Sequence, residues 1–128
     1  MTPDELASLV EQYHAILLDM DRHRIEIGGK PRRWNRLVDQ LQQLHLSLRE
    51  TSEGRRAITA MISDDNQTVR AWSSTYALFW DPDLARAELE RQAADSASLS
   101  GFEAEIALRE FDAGRLNTAW QPKDGNTR

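Results

Sequence analysis

The sequence of 128 residues predicts an all-α protein of about six helices, arranged as three antiparallel hairpins. Apolar residues recur at spacings of three and four through most of the chain, which places them on one face of each helix. Clusters of Gly, Pro, Ser, Asp and Asn separate these periodic segments. No segment alternates apolar and polar residues as a half-buried strand does. A chain of this length fits one domain.

The first two predicted helices are long and should form an antiparallel hairpin. Thr2-Pro3-Asp4-Glu5 has the form of a capping box, with a hydroxyl cap, proline at the first helical position and glutamate three residues after the cap. The first apolar stripe continues until Gly28-Gly29, and the second helix follows Pro31. The two stripes consist of Leu6, Leu9, Val10, Tyr13, Leu17 and Met20, and of Trp34, Leu37, Val38, Leu41, Leu44 and Leu48.

Four shorter helices should follow. Ser52 can cap the third, which Ser63 to Asn66 interrupts, and the fourth runs from about 67 to 80. Asp81-Pro82 ends that helix and starts the fifth, since proline is tolerated in a first turn. The sixth helix runs from Gly101 to about Ala113 and ends at Gly114. Their apolar faces should consist of Ala57, Ile58, Met61, Ile62, Val69, Trp72, Tyr76, Phe79 or Trp80, Ala85, Leu89 and Ala93.

The sixth helix carries apolar residues on two sides. Ala104, Leu108 and Phe111 define one face, while Phe102 and Ile106 lie on the opposite side. We expect Leu116 and Trp120 to fold back and cover Phe102 and Ile106. The prediction is therefore a single helical domain over residues 1–116 and a C-terminal tail over 117–128 that is partly disordered.

Residues 64–95 combine an acidic turn, a helix that opens with Val69-Arg70, the Asp81-Pro82 break and a further helix. This stretch resembles one helical-hairpin unit of the HEAT kind, and shifting it by about 33 residues brings Val69 onto Phe102. Arg70 resembles the arginine that links neighbouring HEAT units to a turn aspartate. Its acceptor could be Asp64, Asp65 or Asp83. Asp65 or Asn66 and Asp81 are predicted to cap helices, because carboxylates and amides accept from helix-start N–H groups.

Short patterns in this chain carry a wider resemblance: Trp34-Asn35-Arg36-Leu37, Leu48-Arg49, Gly54-Arg55-Arg56, Asp64 to Arg70, Asp81-Pro82 and Gly101-Phe102-Glu103-Ala104. With these patterns, residues 10–116 resemble an uncharacterised bacterial family of small HEAT-like domains of unknown function. The resemblance implies an all-helical right-handed superhelix and no assigned enzyme activity. The chain also resembles helical immunity proteins encoded beside bacterial polymorphic toxins. His45 departs from the family pattern, which favours an aliphatic residue there.

The acidity of the chain is concentrated in one segment. Residues 81–112 contain nine acids and three bases, whereas the acids and bases of residues 1–63 balance. The negative electrostatic field of this segment favours encounter with a basic partner. It disfavours nucleic acid as a ligand of the C-terminal half. We expect the partner-binding acids to be Asp83, Glu88, Glu90, Glu103 and Glu105, although a solvated helix surface would carry the same charges.

No motif predicts catalysis, a metal or a cofactor. His14, His23 and His45 lack ligand spacing, the acid pairs occupy helix starts, and there is no cysteine. His45 is expected to be buried and hydrogen-bonded to the neighbouring helix. Lys30, Arg32, Arg33 and Arg36 surround Trp34 as phosphate-binding residues could. Trp34 falls on an apolar face, however, which favours a core tryptophan with solvated arginines.

The sequence therefore predicts a non-enzymatic protein-binding domain, specifically an immunity or inhibitor protein for a basic toxin domain. The alternative is a generic helical scaffold or regulator that acts through apolar contacts or forms a homodimer through Trp80 or Trp120. Binding of nucleic acid at Arg32, Arg33 and Arg36 is a third, weaker interpretation. No apolar run is long enough to span a membrane and the first residues are acidic, so we expect a cytoplasmic protein.

Overall fold

The computed structural model describes residues 1–24, 31–95 and 97–122. These residues form six α-helices and no strand: α1 (Pro3–Arg24), α2 (Pro31–Arg49), α3 (Ser52–Ala60), α4 (Gln67–Ala77), α5 (Pro82–Ala93) and α6 (Leu99–Asp112). A short 3-10 turn, Met61–Ser63, follows α3. The all-α prediction is confirmed. The predicted helix end at Gly28-Gly29 and the last six residues of the predicted tail lie outside the described residues.

The chain divides into two compact units. The first unit comprises Met1–Gly54 and Ala119–Arg128, and the second unit comprises Arg55–Thr118. The single domain over 1–116 and the three-hairpin HEAT arrangement stay predictions. Among the described residues, no helix has both the length and the apolarity needed to cross a membrane.

In the first unit, α1 packs against α2 through the two predicted apolar stripes. Thr2 caps α1, because its Oγ1 accepts from the Glu5 N–H at 3.1 Å. The buried side chains lie at helical spacing on each helix, so water is excluded from one face of each helix. They are Tyr13, Leu17 and Met20 on α1, and Leu37, Leu41 and Leu48 on α2.

In the second unit, α5 packs between α4 and α6. Its core is built from small and medium apolar side chains, namely Ile62, Ala77, Leu78, Ala85, Leu89 and Ala104. Trp80, Leu108, Phe111 and Leu116 pack around this core, and the Trp80 indole N–H donates to Thr59 Oγ1 at 3.0 Å. Phe79 lies partly exposed and meets the Phe111 ring edge-on, with 5.4 Å between ring centroids.

Several helix ends differ from prediction by one to three residues, and each difference has a local hydrogen-bonding cause. Thr51, not Ser52, caps α3, because Thr51 Oγ1 accepts from the Gly54 N–H at 3.0 Å. Ser98 Oγ accepts from the Gly101 N–H at 2.9 Å, so α6 begins at Leu99 and not at Gly101. α4 ends at Ala77 because the Phe79 and Trp80 N–H groups donate to the carbonyls three residues before them, at 3.3 Å and 3.1 Å, and so form a tight turn.

Gly101 is required by the close approach between α6 and the end of α5. A Cβ atom at this position would lie 1.9 Å from the Asp95 carbonyl oxygen and 2.8 Å from the Gln92 carbonyl oxygen. Both obstacles are backbone atoms, which cannot turn aside as a side chain can. The glycine therefore sets how closely α6 packs on α5.

Replacing Gly101 with alanine should lower the free energy of unfolding by about 1 to 3 kcal/mol, because the new methyl group overpacks the contact. The measurement is urea unfolding of the full chain followed by circular dichroism. Ser100→Ala, on the next residue, is the matched control and should change stability by less than about 0.5 kcal/mol. Equal stability of the Gly101→Ala variant and the parent chain would contradict this account of the packing.

Candidate interaction surface

Arg70 on α4 joins the turn before that helix to α5. Its Nη1 donates to the carbonyl oxygens of Asp64 at 2.8 Å and Asp65 at 2.9 Å, and its Nε donates to Glu88 Oε2 at 3.3 Å. Asp64 and Asp65 are two of the three acceptors predicted for Arg70, but they accept through their backbone carbonyls and not through their carboxylates. One reason is that the Asp64 carboxylate accepts from the Asn66 N–H instead, at 3.0 Å.

The predicted caps have different roles in the structure. Asn66 caps α4, since its side-chain oxygen accepts from the Val69 N–H at 3.0 Å. Asp65 contributes its backbone carbonyl to Arg70. Asp81 occupies the capping position before Pro82, but its side chain makes no capping hydrogen bond. The start of α5 therefore depends on the proline and on the Asp81 carbonyl, which accepts from the Ala85 N–H at 3.1 Å.

Glu88 is bound within the protein and does not belong to an exposed acidic patch, and its partner-binding role stays a prediction. The side chain is only 10% exposed. Besides Arg70, it accepts from Arg91 Nη2 at 2.6 Å and from Gln92 Nε2 at 2.7 Å. Burial alone raises the pKa of Glu88, but the hydrogen bonds from Gln92 and Arg91 and the charges of Arg91 and Arg70 outweigh it, and the pKa is lowered. The carboxylate stays ionised and its oxygens are occupied.

The other predicted acids are exposed and lie on α5 and α6. Asp83 and Glu90 are seven residues apart, so they project from nearly the same side of α5. Glu103 and Glu105 are two residues apart and project about 160° from one another around α6. Glu105 Oε1 accepts from Arg109 Nη2 at 3.2 Å. Helical geometry thus brings Asp83 and Glu90 together and separates Glu103 from Glu105.

Three large apolar side chains are exposed along α6, and we call Leu99, Phe102 and Ile106 the α6 stripe. They are 60%, 54% and 37% exposed. Their spacings of three and four residues place them on one side of the helix, opposite the buried Gly101 and Ala104. The α6 stripe is the largest apolar feature that the described part of α6 presents to solvent.

The expected cover of Phe102 and Ile106 by Leu116 and Trp120 is wrong for the described residues. Leu116 packs against the core of the second unit. The Trp120 carbonyl accepts from Gln42 Nε2 at 2.7 Å within the first unit. The two-sided helical pattern correctly singled out Phe102 and Ile106 but gave no information about what covers them. Leu99 was missed because it was assigned to a loop.

His45 lies in a buried chain of hydrogen bonds in the first unit. Its Nε2 is 3.2 Å from Arg49 Nη1 and its Nδ1 is 3.3 Å from Gln42 Oε1. Burial first, and the Arg49 charge second, lower the pKa of His45 to about 3. The ring is therefore neutral at pH 7. Because arginine only donates, Nε2 accepts from Arg49 and Nδ1–H donates to Gln42, whose amide then donates to the Trp120 carbonyl.

His45 is buried, as predicted, but these two partners lie one turn away on α2 itself and not on the neighbouring helix. Sequence reasoning missed Gln42, which is 1% exposed. The signal available was a second polar residue one turn before His45 on an otherwise apolar face. The chain of hydrogen bonds ties a segment without regular secondary structure to the middle of α2.

A shallow groove of about 450 Å³ lies between α1 and α2. Ile16 and Leu44 give it an apolar floor, and neutral side chains such as Gln12 and Gln43 form much of its rim. Asp19, the acid in its lining, forms an ion pair with Arg22. The groove suits an apolar side chain better than a charged ligand. Its lining consists of Gln12, Ala15, Ile16, Asp19, Gln40, Gln43, Leu44 and Ser47.

The basic cluster at the start of α2 points mainly to solvent. Arg32, Arg33 and Arg36 are exposed and Trp34 is half-buried. Lys30, the fourth member of the cluster, lies outside the described residues. Within the described ranges, no group of three His, Asp or Glu side chains is arranged to hold a metal ion.

Arg70→Ala should lower the free energy of unfolding by about 2 to 3 kcal/mol, because two carbonyls lose a donor and a mostly buried carboxylate loses a cation. Arg91→Ala is the matched control, since Arg91 also contacts Glu88. The Arg91 side chain is 60% exposed and the Arg70 side chain 19%, so the control should cost less than about 1 kcal/mol. Urea unfolding measures both, and equal losses would contradict a special role for Arg70.

Lowering the pH from 7 to 5 should destabilise the protein through His45. The ordinary histidine pKa of about 6.5 applies to the unfolded chain, whereas the folded pKa is about 3. Between these values the unfolded state binds the extra proton, so stability falls as the pH falls below about 6.5. We expect about 2 kcal/mol of loss by pH 5 from this group. A His45→Gln variant should lack this component of the slope, and parallel stability curves for the two chains would contradict the assignment.

Comparisons with known proteins support the fold alone. No family model matches the chain, and no match was found among curated proteins. The structure is similar to the crystal structure of the protein RPA1889 from Rhodopseudomonas palustris CGA009, with a TM-score of 0.77. The two are 22% identical, and the match covers 96% of this chain and 95% of the other. The chain therefore has a helical arrangement already observed in a bacterial protein.

Proposed function

We propose that this protein is a non-enzymatic protein-binding domain, and specifically an immunity or inhibitor protein that neutralises a cognate bacterial toxin domain. The observation that carries the proposal is the α6 stripe, because three neighbouring large apolar side chains in water are typical of an interaction site. The stripe lies within the acidic segment 81–112. A basic partner would find both an apolar contact and an attractive field there.

The charges of α5 support the same proposal. Asp83 and Glu90 are exposed on one side of this helix. Glu90 Oε1 lies 3.8 Å from Arg86 Nη1. Exposed acids of this kind speed the encounter with a basic surface more than they add to final affinity. Glu88 supports the surface indirectly, by holding Arg70 and Arg91.

Rigidity also favours a surface-binding role. α4 and α6 begin at side-chain caps, and Arg70 fixes the turn before α4 against α5. A preformed surface loses little conformational entropy when it binds.

A HEAT-like superhelix and a cytoplasmic location complete the proposal. The likeness to RPA1889 is compatible with the first, and the absence of cysteine from the sequence is compatible with the second.

The test is co-expression and pull-down with the product of the adjacent gene, read together with protection of cells from that product. The parent chain should capture the partner and restore growth. Asp83→Lys combined with Glu90→Lys should weaken capture by about tenfold or more and raise its sensitivity to salt. Glu11→Lys combined with Glu50→Lys reverses two exposed acids of the first unit and should leave capture unchanged. Absence of a complex with the parent chain, or equal capture by both double variants, would contradict the proposal.

A generic scaffold that associates through apolar contacts is the second candidate, favoured by the exposed Phe79, Leu84 and Phe102. Such a protein would form a homodimer that hides these side chains. Light scattering of the purified chain separates the candidates, since our first proposal expects a monomer and the second a stable dimer.

A further inference from the structure

We infer that the α6 stripe is the docking site for a basic amphipathic helix of the partner. The inference deepens the proposed function and rests on its premise that the chain binds another protein. It adds the place of binding, the secondary structure of the bound segment and the charge of that segment.

The shape of the surface favours a helix as the bound element. Leu99, Phe102 and Ile106 form a single row along α6, and the row follows the helix axis for two turns. A helix with apolar residues three and four apart presents a complementary row, so the two can pack side by side. Phe102, in the middle of the row, is the large side chain that such a partner would enclose.

Acidic residues flank the row on both sides. Glu103 lies beside it on one flank and Glu105 on the other, and Glu110 and Asp112, each seven residues further on, continue these two flanks beyond Ile106. α6 as a whole contains these four acids and one base, Arg109. A partner helix with lysine or arginine beside its apolar face would therefore meet a carboxylate on either side.

Arginines of the same chain contact Glu105, Glu110 and Asp112, and these contacts leave the surface available. Glu105 pairs with Arg109, Glu110 with Arg115, and Asp112 with Arg86. The carboxylates are 51%, 33% and 57% exposed in these pairs. Exposed ion pairs contribute little and exchange readily, so a partner cation can join or replace the arginine without leaving a buried charge unpaired.

The flanking charge also distinguishes the possible occupants. A second copy of this chain would place the acidic residues beside its own α6 stripe against those of the first copy. Like charges would then lie together along the contact. An anionic membrane surface or a nucleic acid meets the same repulsion. A basic helix is the occupant for which the apolar row and both flanks are favourable.

The test uses two synthetic helical peptides of about five turns each, with leucine at identical positions and either lysine or glutamate elsewhere. Binding to the full chain is measured by fluorescence anisotropy at two salt concentrations. The lysine peptide should bind at least about tenfold more tightly than the glutamate peptide, and the preference should fall as salt rises. Phe102→Ser combined with Ile106→Ser should weaken binding of the lysine peptide by about tenfold or more.

Two controls make this result specific. Leu84→Ser removes an exposed leucine of α5 and should leave peptide affinity unchanged. Glu103→Gln combined with Glu110→Gln keeps the apolar row and should reduce the preference for lysine over glutamate. Equal affinities for the two peptides, no effect of the stripe substitutions, or an equal loss in Leu84→Ser would overturn the inference. A dimer in light scattering that the stripe substitutions abolish would also overturn it, in favour of a second copy.

The inference and the proposed function fail in different ways. If the adjacent-gene product is captured equally by the parent chain and the Phe102→Ser/Ile106→Ser variant, the docking site is wrong and the proposed function stands. If the lysine peptide binds at the stripe but that gene product is neither captured nor neutralised, the docking site stands and the proposed toxin partner is wrong.

Discussion

The guanidinium of Arg70 holds together two parts of the second unit that the backbone alone leaves independent. The carbonyls of Asp64 and Asp65 precede α4 and accept from Arg70 Nη1, while Glu88 on α5 accepts from Nε. One planar group thus satisfies two backbone acceptors and one carboxylate. The same orientation of α5 that brings Glu88 to Arg70 places Ala85 and Leu89 in the core and Asp83 in solvent.

The orientation of α6 follows from its contact with α5. Gly101 and Ala104 form the part of its face that is buried, and both are small. The large apolar residues Leu99, Phe102 and Ile106 are on the exposed side. On its other side, Leu108 and Phe111 pack around the core of the second unit. Close backbone approach at Gly101 holds α6 near α5, and only one of the two sets of large apolar side chains on α6 is used in that packing.

Sequence periodicity predicted the existence and order of all six helices, since amphipathic spacing and turn residues are local properties. Helix ends were predicted less accurately where two neighbouring residues can both cap the helix. Thr51 and Ser52 both carry a hydroxyl, and the choice between them depends on which one reaches the Gly54 N–H. Glu88 could not be separated from Glu90 by sequence, because charge alone does not reveal that Arg70, eighteen residues away, binds only the first. Phe102 and Ile106 of the row on α6 were visible in the pattern, but their exposure depends on tertiary packing.

The hydrogen bonds from Arg49 through His45 and Gln42 to the Trp120 carbonyl have a consequence for the boundary of the folded protein. A chain shortened before Trp120 would keep every helix and every side chain of the apolar stripes. It would nevertheless leave the Gln42 amide donor, which is buried, without its carbonyl acceptor, at a cost of about 1 to 3 kcal/mol. A fragment cut at the last helix would therefore lose a stabilising contact that a backbone oxygen of an irregular segment makes.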